Sequence, residues 1–263
     1  MSPENTARVT TVDGLRGLLA ALVMLAHVCN DVGDPRFIPF ARLCVMAFFG
    51  ISGYVLTRGW RGRYFGFLVR RALRLWPVYA LCLGVGGWLS ANPPAASLYV
   101  WFPLTLQAEQ LPQDPAAWSL FVEVWAMPFM PIFVWLGRRP RFALAAVAFC
   151  LAAQIVFPAL YFGAFFIIGS YLADRNPASA LLDSRPVQWL GRISYSLYLS
   201  HVIVFGVIKF HAPGLFIYLC IPAALAVAHA LCVAVERPSI VLSRLAGRWV
   251  ERAPALRLRP AAA

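Results

Sequence analysis

Charge is what this chain has least of. Charged residues fill 13% of its 263 positions, only 11 are acidic, and a single lysine, Lys209, stands among 23 basic residues. Soluble domains carry about 25% charged and about 45–50% apolar residues, so a chain that is 61% hydrophobic is not an ordinary soluble enzyme. Low charge with high hydrophobicity also excludes disorder. The six cysteines (Cys29, Cys44, Cys82, Cys150, Cys220 and Cys232) form no CxxC pair and have no histidine at ligand spacing. That argues against a zinc or disulfide framework and for buried, reduced thiols, and no metal site is expected. The formal charge of +12 does not point to nucleic acid either. The arginines fall in short clusters between apolar runs, which is the pattern of cytoplasmic membrane loops.

What the chain does have is a series of apolar runs. About 20 apolar residues cross a bilayer core, and eight runs approach that length: residues 15–29, 43–56, 76–90, 118–136, 142–157, 159–173, 193–208 and 215–235. The first run follows Arg8 and Arg16 as a signal peptide would, but no small-x-small cleavage site comes after it, so retention as a membrane helix is expected. Residues 98–106 are apolar but few and contain a proline, which predicts a re-entrant piece packed against protein. With the N-terminus inside, 20 of the 23 basic residues fall on the inner side, leaving Arg36, Arg42 and Lys209 outside. That asymmetry predicts cytoplasmic termini. The expected fold is therefore all-α, a polytopic transmembrane bundle of about eight spans over residues 1–243. A basic tail, residues 244–263, is expected on the inner membrane surface.

Ionisable side chains inside a bilayer are costly, so each is a functional candidate. Arg16 and His27 are eleven positions apart, which brings them back to within about 20° of one another on a helix, separated by roughly 16 Å along its axis. His27 then sits near the midplane, either hydrogen-bonded to a neighbouring helix or acting as a general base. Asp13, three residues before Arg16, is placed to hold its head. Arg71 and Arg74 share a face at the start of the third run. They are either positive-inside anchors or a phosphate site, since guanidinium forks match phosphate oxygens. Arg58, Arg61 and Arg63 would widen that mouth. Glu123 lies too deep to be only a helix-end carboxylate and calls for a cationic partner across the bundle, while Ser119 is also a plausible N-cap. Ser52 sits between Gly50 and Gly53, where close helix packing or a backbone near a ligand would each suit the glycines. His201 and Glu236 are the remaining intramembrane candidates.

These residues fall in a recognisable order. Asp13-Gly14-Leu15-Arg16-Gly17 followed by His27, the stretch Phe48-Phe49-Gly50-Ile51-Ser52-Gly53-Tyr54, and Arg71-Ala72-Leu73-Arg74 with Trp76-Pro77 resemble motifs of the membrane acyltransferase-3 family. So do Trp118-Ser119-Leu120 with Glu123, Gly191-Arg192-Ile193-Ser194-Tyr195-Ser196-Leu197-Tyr198-Leu199-Ser200-His201, and Glu236-Arg237-Pro238. That family comprises bacterial O-acyltransferases of cell-envelope carbohydrates and related acceptors, usually with ten spans. The resemblance implies an inner-membrane enzyme with acyl-CoA (acetyl-CoA first) as co-substrate, no tightly bound cofactor, and a hydroxyl acceptor. In that reading His27, Arg16 and Glu123 are catalytic, and Arg71, Arg74, Ser52 and Arg58 bind acyl-CoA. Asp13, Ser119, His201 and Glu236 support them. The alternative class is a carrier or scaffold that has lost catalysis, because intramembrane His, Arg and Glu also mark proton-coupled carriers.

Overall fold

The structure, a computed structural model, describes residues 10–89 and 118–252. The expected re-entrant piece at 98–106, Arg8, and the tail beyond Arg252 lie outside the described residues. Every described regular element is helical. In chain order they are α1 (Thr10–Asp31), a 3-10 turn (Pro35–Phe37), α2 (Ile38–Arg58), α3 (Tyr64–Leu89) and α4 (Trp118–Ala126). Then follow a second turn (Met127–Phe129), α5 (Met130–Gly137), α6 (Pro140–Ala153), α7 (Ala159–Tyr171), α8 (Arg185–His211) and α9 (Phe216–Leu231). A π-helical turn (Cys232–Glu236) leads into α10 (Arg237–Arg252).

Prolines and backbone hydrogen bonds explain several boundaries. Pro39 and Pro140 stand at the first positions of α2 and α6, where a missing N–H costs nothing. Pro128 lies in the turn that breaks the fourth apolar run into α4 and α5. Gly59 closes α2, its N–H donating to the Val55 carbonyl at 3.0 Å. The start of α1 is tied to the loop before α8, where the Thr11 hydroxyl donates to Asp183 at 2.9 Å. Hydrogen bonds from Thr10 and Thr11 hold the Asp183 carboxyl below its ordinary pKa.

Among the described residues, six continuous helical stretches are long and apolar enough to cross a membrane, one of them formed by α4 and α5 together (Trp118–Gly137). α6 and α7 have 14 and 13 residues, a length of roughly 20 Å against a core of about 30 Å. Each of the eight expected runs contains helix, but two of them fall short of a full crossing on their own. The chain is thus a multi-pass membrane helix bundle, with side chains such as Leu43, Phe149 and Tyr218 left exposed on its outside. The last helix runs through position 244 without a break to Arg252. There Glu251 pairs with Arg63 at 3.0 Å and with Arg70, so the first part of the basic tail packs against α3.

Small residues set the helix spacing, because between helices in lipid packing rather than water exclusion drives association. A methyl group on Gly17 would lie 2.4 Å from the Gly191 nitrogen, and one on Gly53 would lie 2.2 Å from the Phe166 carbonyl oxygen. α1 therefore runs hard against α8, and α2 against α7. The first contact matters most here: Asp13 and Gly17 beside Gly191, His27 beside His201 and Asp31 beside Lys209 make α1 and α8 parallel.

Candidate active site

The register of α1 on α8, with α2, α3 and α4 closing around it, encloses a cavity of about 80 Å³ near the Arg-rich ends of these helices. Its polar lining is Arg16 from α1, Ser52 from α2, Arg71 and Arg74 from α3, Ser119 and Glu123 from α4, and Ser194, Tyr195 and Tyr198 from α8. Six of the eleven predicted site residues thus meet at one place, although they come from four helices. Glu123 has the cationic partner its depth required. Arg71 donates to its carboxylate through Nη2, and Ser52 donates to the same Oε1 at 3.3 Å. Both partners of the Arg71–Glu123 pair are largely withdrawn from solvent, at 12% and 18% side-chain exposure.

Arg74 lies in the fields of Arg71 and Arg16 and of Glu236 and Glu123. Glu236 is buried at 4% exposure and accepts a hydrogen bond from Ser196 at 2.7 Å. It belongs to the π-helical turn, an irregularity that often marks functional sites. Arg71 also keeps a buried Nε with no partner among the described residues. A buried donor left unpaired costs about 1–3 kcal/mol, so Arg71 keeps a donor free for an acceptor in the cavity.

His27 does not line this cavity. It lies farther along α1, its ring 5.2 Å from that of His201 between centroids. Tyr198 stands between the two places: it lines the cavity, meets Phe48 edge-on at 5.8 Å and lies 6.2 Å from the His201 ring. Arg58 is elsewhere too. It donates to the Ala173 carbonyl at 3.0 Å and to Asn176 at 2.9 Å, closing the end of α7 rather than facing the cavity. Gly50 and Gly53 pack against α7 at Gly169 and Phe166, so close packing accounts for them, and Ser52 is the member of that stretch that reaches the site. Asp13 lies at the α1–α8 contact, its carbonyl against Gly191.

Sequence reasoning did not single out Tyr195, Tyr198 or Asp31. Tyr195 donates to the Leu75 carbonyl at 2.6 Å and ties α8 to α3 just below the arginines. Positions 194, 198, 201 and 205 repeat at helical spacing, which was a usable signal for that face of α8. Asp31, one turn beyond His27, pairs with Lys209 at 2.9 Å. A larger apolar cavity of about 400 Å³ between α3, α8 and α9 has no charged side chain in its lining. Size alone would point to it, but its only polar lining is Ser200 and Cys82, and the smaller cavity, where the ionisable residues meet, is the candidate site.

A family model described as an acyltransferase domain, acyltransferase-3, matches residues 9–176. The match takes in Arg16, His27, Arg71, Arg74 and Glu123 and ends before α8. No curated protein and no solved structure matches the chain.

Proposed function

The chain belongs to the acyltransferase-3 family, and on that premise we propose that it moves an acyl group, acetyl in the simplest case, from cytoplasmic acyl-CoA to a hydroxyl. The acceptor is a carbohydrate or related molecule at or beyond the membrane, and the setting is a bacterial inner membrane. The observation that carries this reading is the convergence of Arg16, Arg71 and Arg74, with an unpaired Arg71 donor, on the same side of the bundle as the arginine-rich helix ends. Such a site suits the phosphates of a nucleotide-bearing donor, which guanidinium groups bind in bidentate fashion.

The chemistry then divides along α1. Phosphates rest on the arginines and the pantetheine arm lies toward Tyr198, carrying the thioester in the direction of His27. The neutral His27 imidazole takes the proton of the acceptor hydroxyl as its oxygen attacks the carbonyl carbon. The tetrahedral oxyanion collapses, the carbon–sulfur bond breaks, and the CoA thiolate leaves and is protonated. Glu123 holds Arg71 in place, and Ser52 supports the Glu123 carboxylate.

The test is acyl transfer by purified protein in proteoliposomes. Labelled acetyl-CoA is supplied on one face and a panel of envelope glycans and glycolipids on the other. Label is expected on acceptor hydroxyls together with release of free CoA. Movement of a substrate across the membrane with no thioester cleavage would overturn the proposal in favour of a carrier.

A further inference from the structure

His201 is fully buried, and its surroundings dictate its tautomer. Its Nδ1 lies 3.0 Å from the Leu197 carbonyl oxygen. A carbonyl oxygen only accepts, so Nδ1 carries the hydrogen and Nε2 carries the lone pair. That Nε2 is buried and has no hydrogen-bond partner among the described residues. The ring is held on its other sides by Phe205 at 5.7 Å and Tyr198 at 6.2 Å between centroids. An uncompensated acceptor in such a place is costly, and His27 is the polar ring beside it, at 5.2 Å between centroids. That separation is short enough for an N–H···N bond of about 2.9 Å once the two ring edges face each other.

We propose that His201 is the positioning residue of His27: its Nε2 lone pair takes the His27 ring N–H, so that the other His27 nitrogen presents a lone pair to the acceptor hydroxyl. This rests on the acyl-transfer reading. It deepens that reading by assigning the group that orients the base, a part that a carboxylate or backbone carbonyl plays for many catalytic histidines. Asp31 on α1 and Lys209 on α8 also face this end of His27. They are paired with each other at 2.9 Å, whereas the His201 Nε2 has no hydrogen-bond partner among the described residues. No proton is gained or lost by His201 in the cycle. His27 takes the acceptor's proton on its free nitrogen and returns it to the departing thiolate, while its other N–H stays on His201.

The experiment compares wild type, His201→Phe and His201→Gln. Phe keeps the ring volume and removes the lone pair, and Gln restores a side-chain acceptor. Phe is expected to lower kcat by roughly ten- to a hundred-fold with KM for acyl-CoA little changed, and Gln to recover most of that loss. The pH–rate limb that reports His27 should move with Phe and return with Gln. A second readout needs no turnover: nitrogen-15 spectra of the histidines in detergent should show His27 as one neutral tautomer in wild type and averaging between two in His201→Phe. Equal kcat in wild type and His201→Phe, or a His27 tautomer equilibrium that does not change, overturns the positioning role. If His201→Phe is fully active while His27→Ala is inactive, the pairing fails and the general-base reading stands. If His27→Ala is itself active, the base assignment fails independently of the His27 tautomer spectra.

Discussion

Two polar regions lie along α1, and they solve the problem of polarity in lipid differently. The cavity at the arginine-rich end answers charge with charge: Glu123 takes Arg71 and Ser52, Glu236 takes Ser196, and Arg74 lies in the field of both carboxylates. The histidine pair, one helical span away, carries no ion pair of its own and keeps one acceptor unmet. An arginine-lined, well-braced site is suited to holding an anion. A neutral, aromatic-walled pair is suited to passing a proton, because neither member has to be desolvated as an ion first. Phe48 and Tyr198 stand between them, so in the proposed reaction binding and proton transfer would fall to separate levels of one helix.

Substitutions can break that division or sharpen it. The largest effect is expected from His27→Ala, with acyl transfer falling by roughly 10²- to 10⁴-fold while acyl-CoA binding by calorimetry is unchanged. Loss of binding in that variant would erase the separation between the two regions. Next comes Glu123→Ala, which leaves the Arg71 guanidinium buried and uncompensated. Thermal or denaturant unfolding in detergent should show a loss of about 3–5 kcal/mol, and the double variant Glu123→Leu with Arg71→Met should regain most of that stability while still failing to bind acyl-CoA.

A smaller effect is expected from Gly17→Ala, which pushes α1 off Gly191 and should cost about 1–3 kcal/mol by overpacking. It should also depress transfer, since the same contact sets His27 against His201; normal kinetics in a destabilised protein would show that the two registers are independent. The smallest is a pH effect at the helix start. Hydrogen bonds from Thr10 and Thr11 hold the Asp183 carboxyl below its ordinary value. Its contribution is therefore fully present above about pH 4, the unfolded carboxylate range, and is lost as pH falls through the lower folded value. Thermal midpoints of wild type should drop across that acid window more steeply than those of Asp183→Asn.

Much of the candidate site was legible because each residue broke a local rule. Arg16 and Glu123 are ions in apolar runs, where a buried ion demands a partner whatever the fold, and Arg71 and Arg74 are paired cations on one face at the edge of another. The demand of Glu123 for a cation named the type of its partner but not which arginine would supply it. Arg58 read like the other arginines by composition and spacing, yet its head reaches the carbonyl end of α7, a difference that only the neighbouring backbone could make. Tyr195 and Tyr198 broke no local rule, because tyrosines are at home in membrane helices, and they became site residues only through what faces them. His27 and His201 were each visible as intramembrane histidines, while their pairing was not.

By itself the sequence determined the solvent, the helical class and the positions where polarity intrudes, because hydropathy, helix length and charge are sums over neighbouring residues. Only the tertiary structure decided which intrusions meet. That choice rests on helix register: glycines 17 and 191 let α1 and α8 close to backbone contact. The parallel alignment so fixed brings His27 to His201 at one level and Arg16 to the α3 arginines at another.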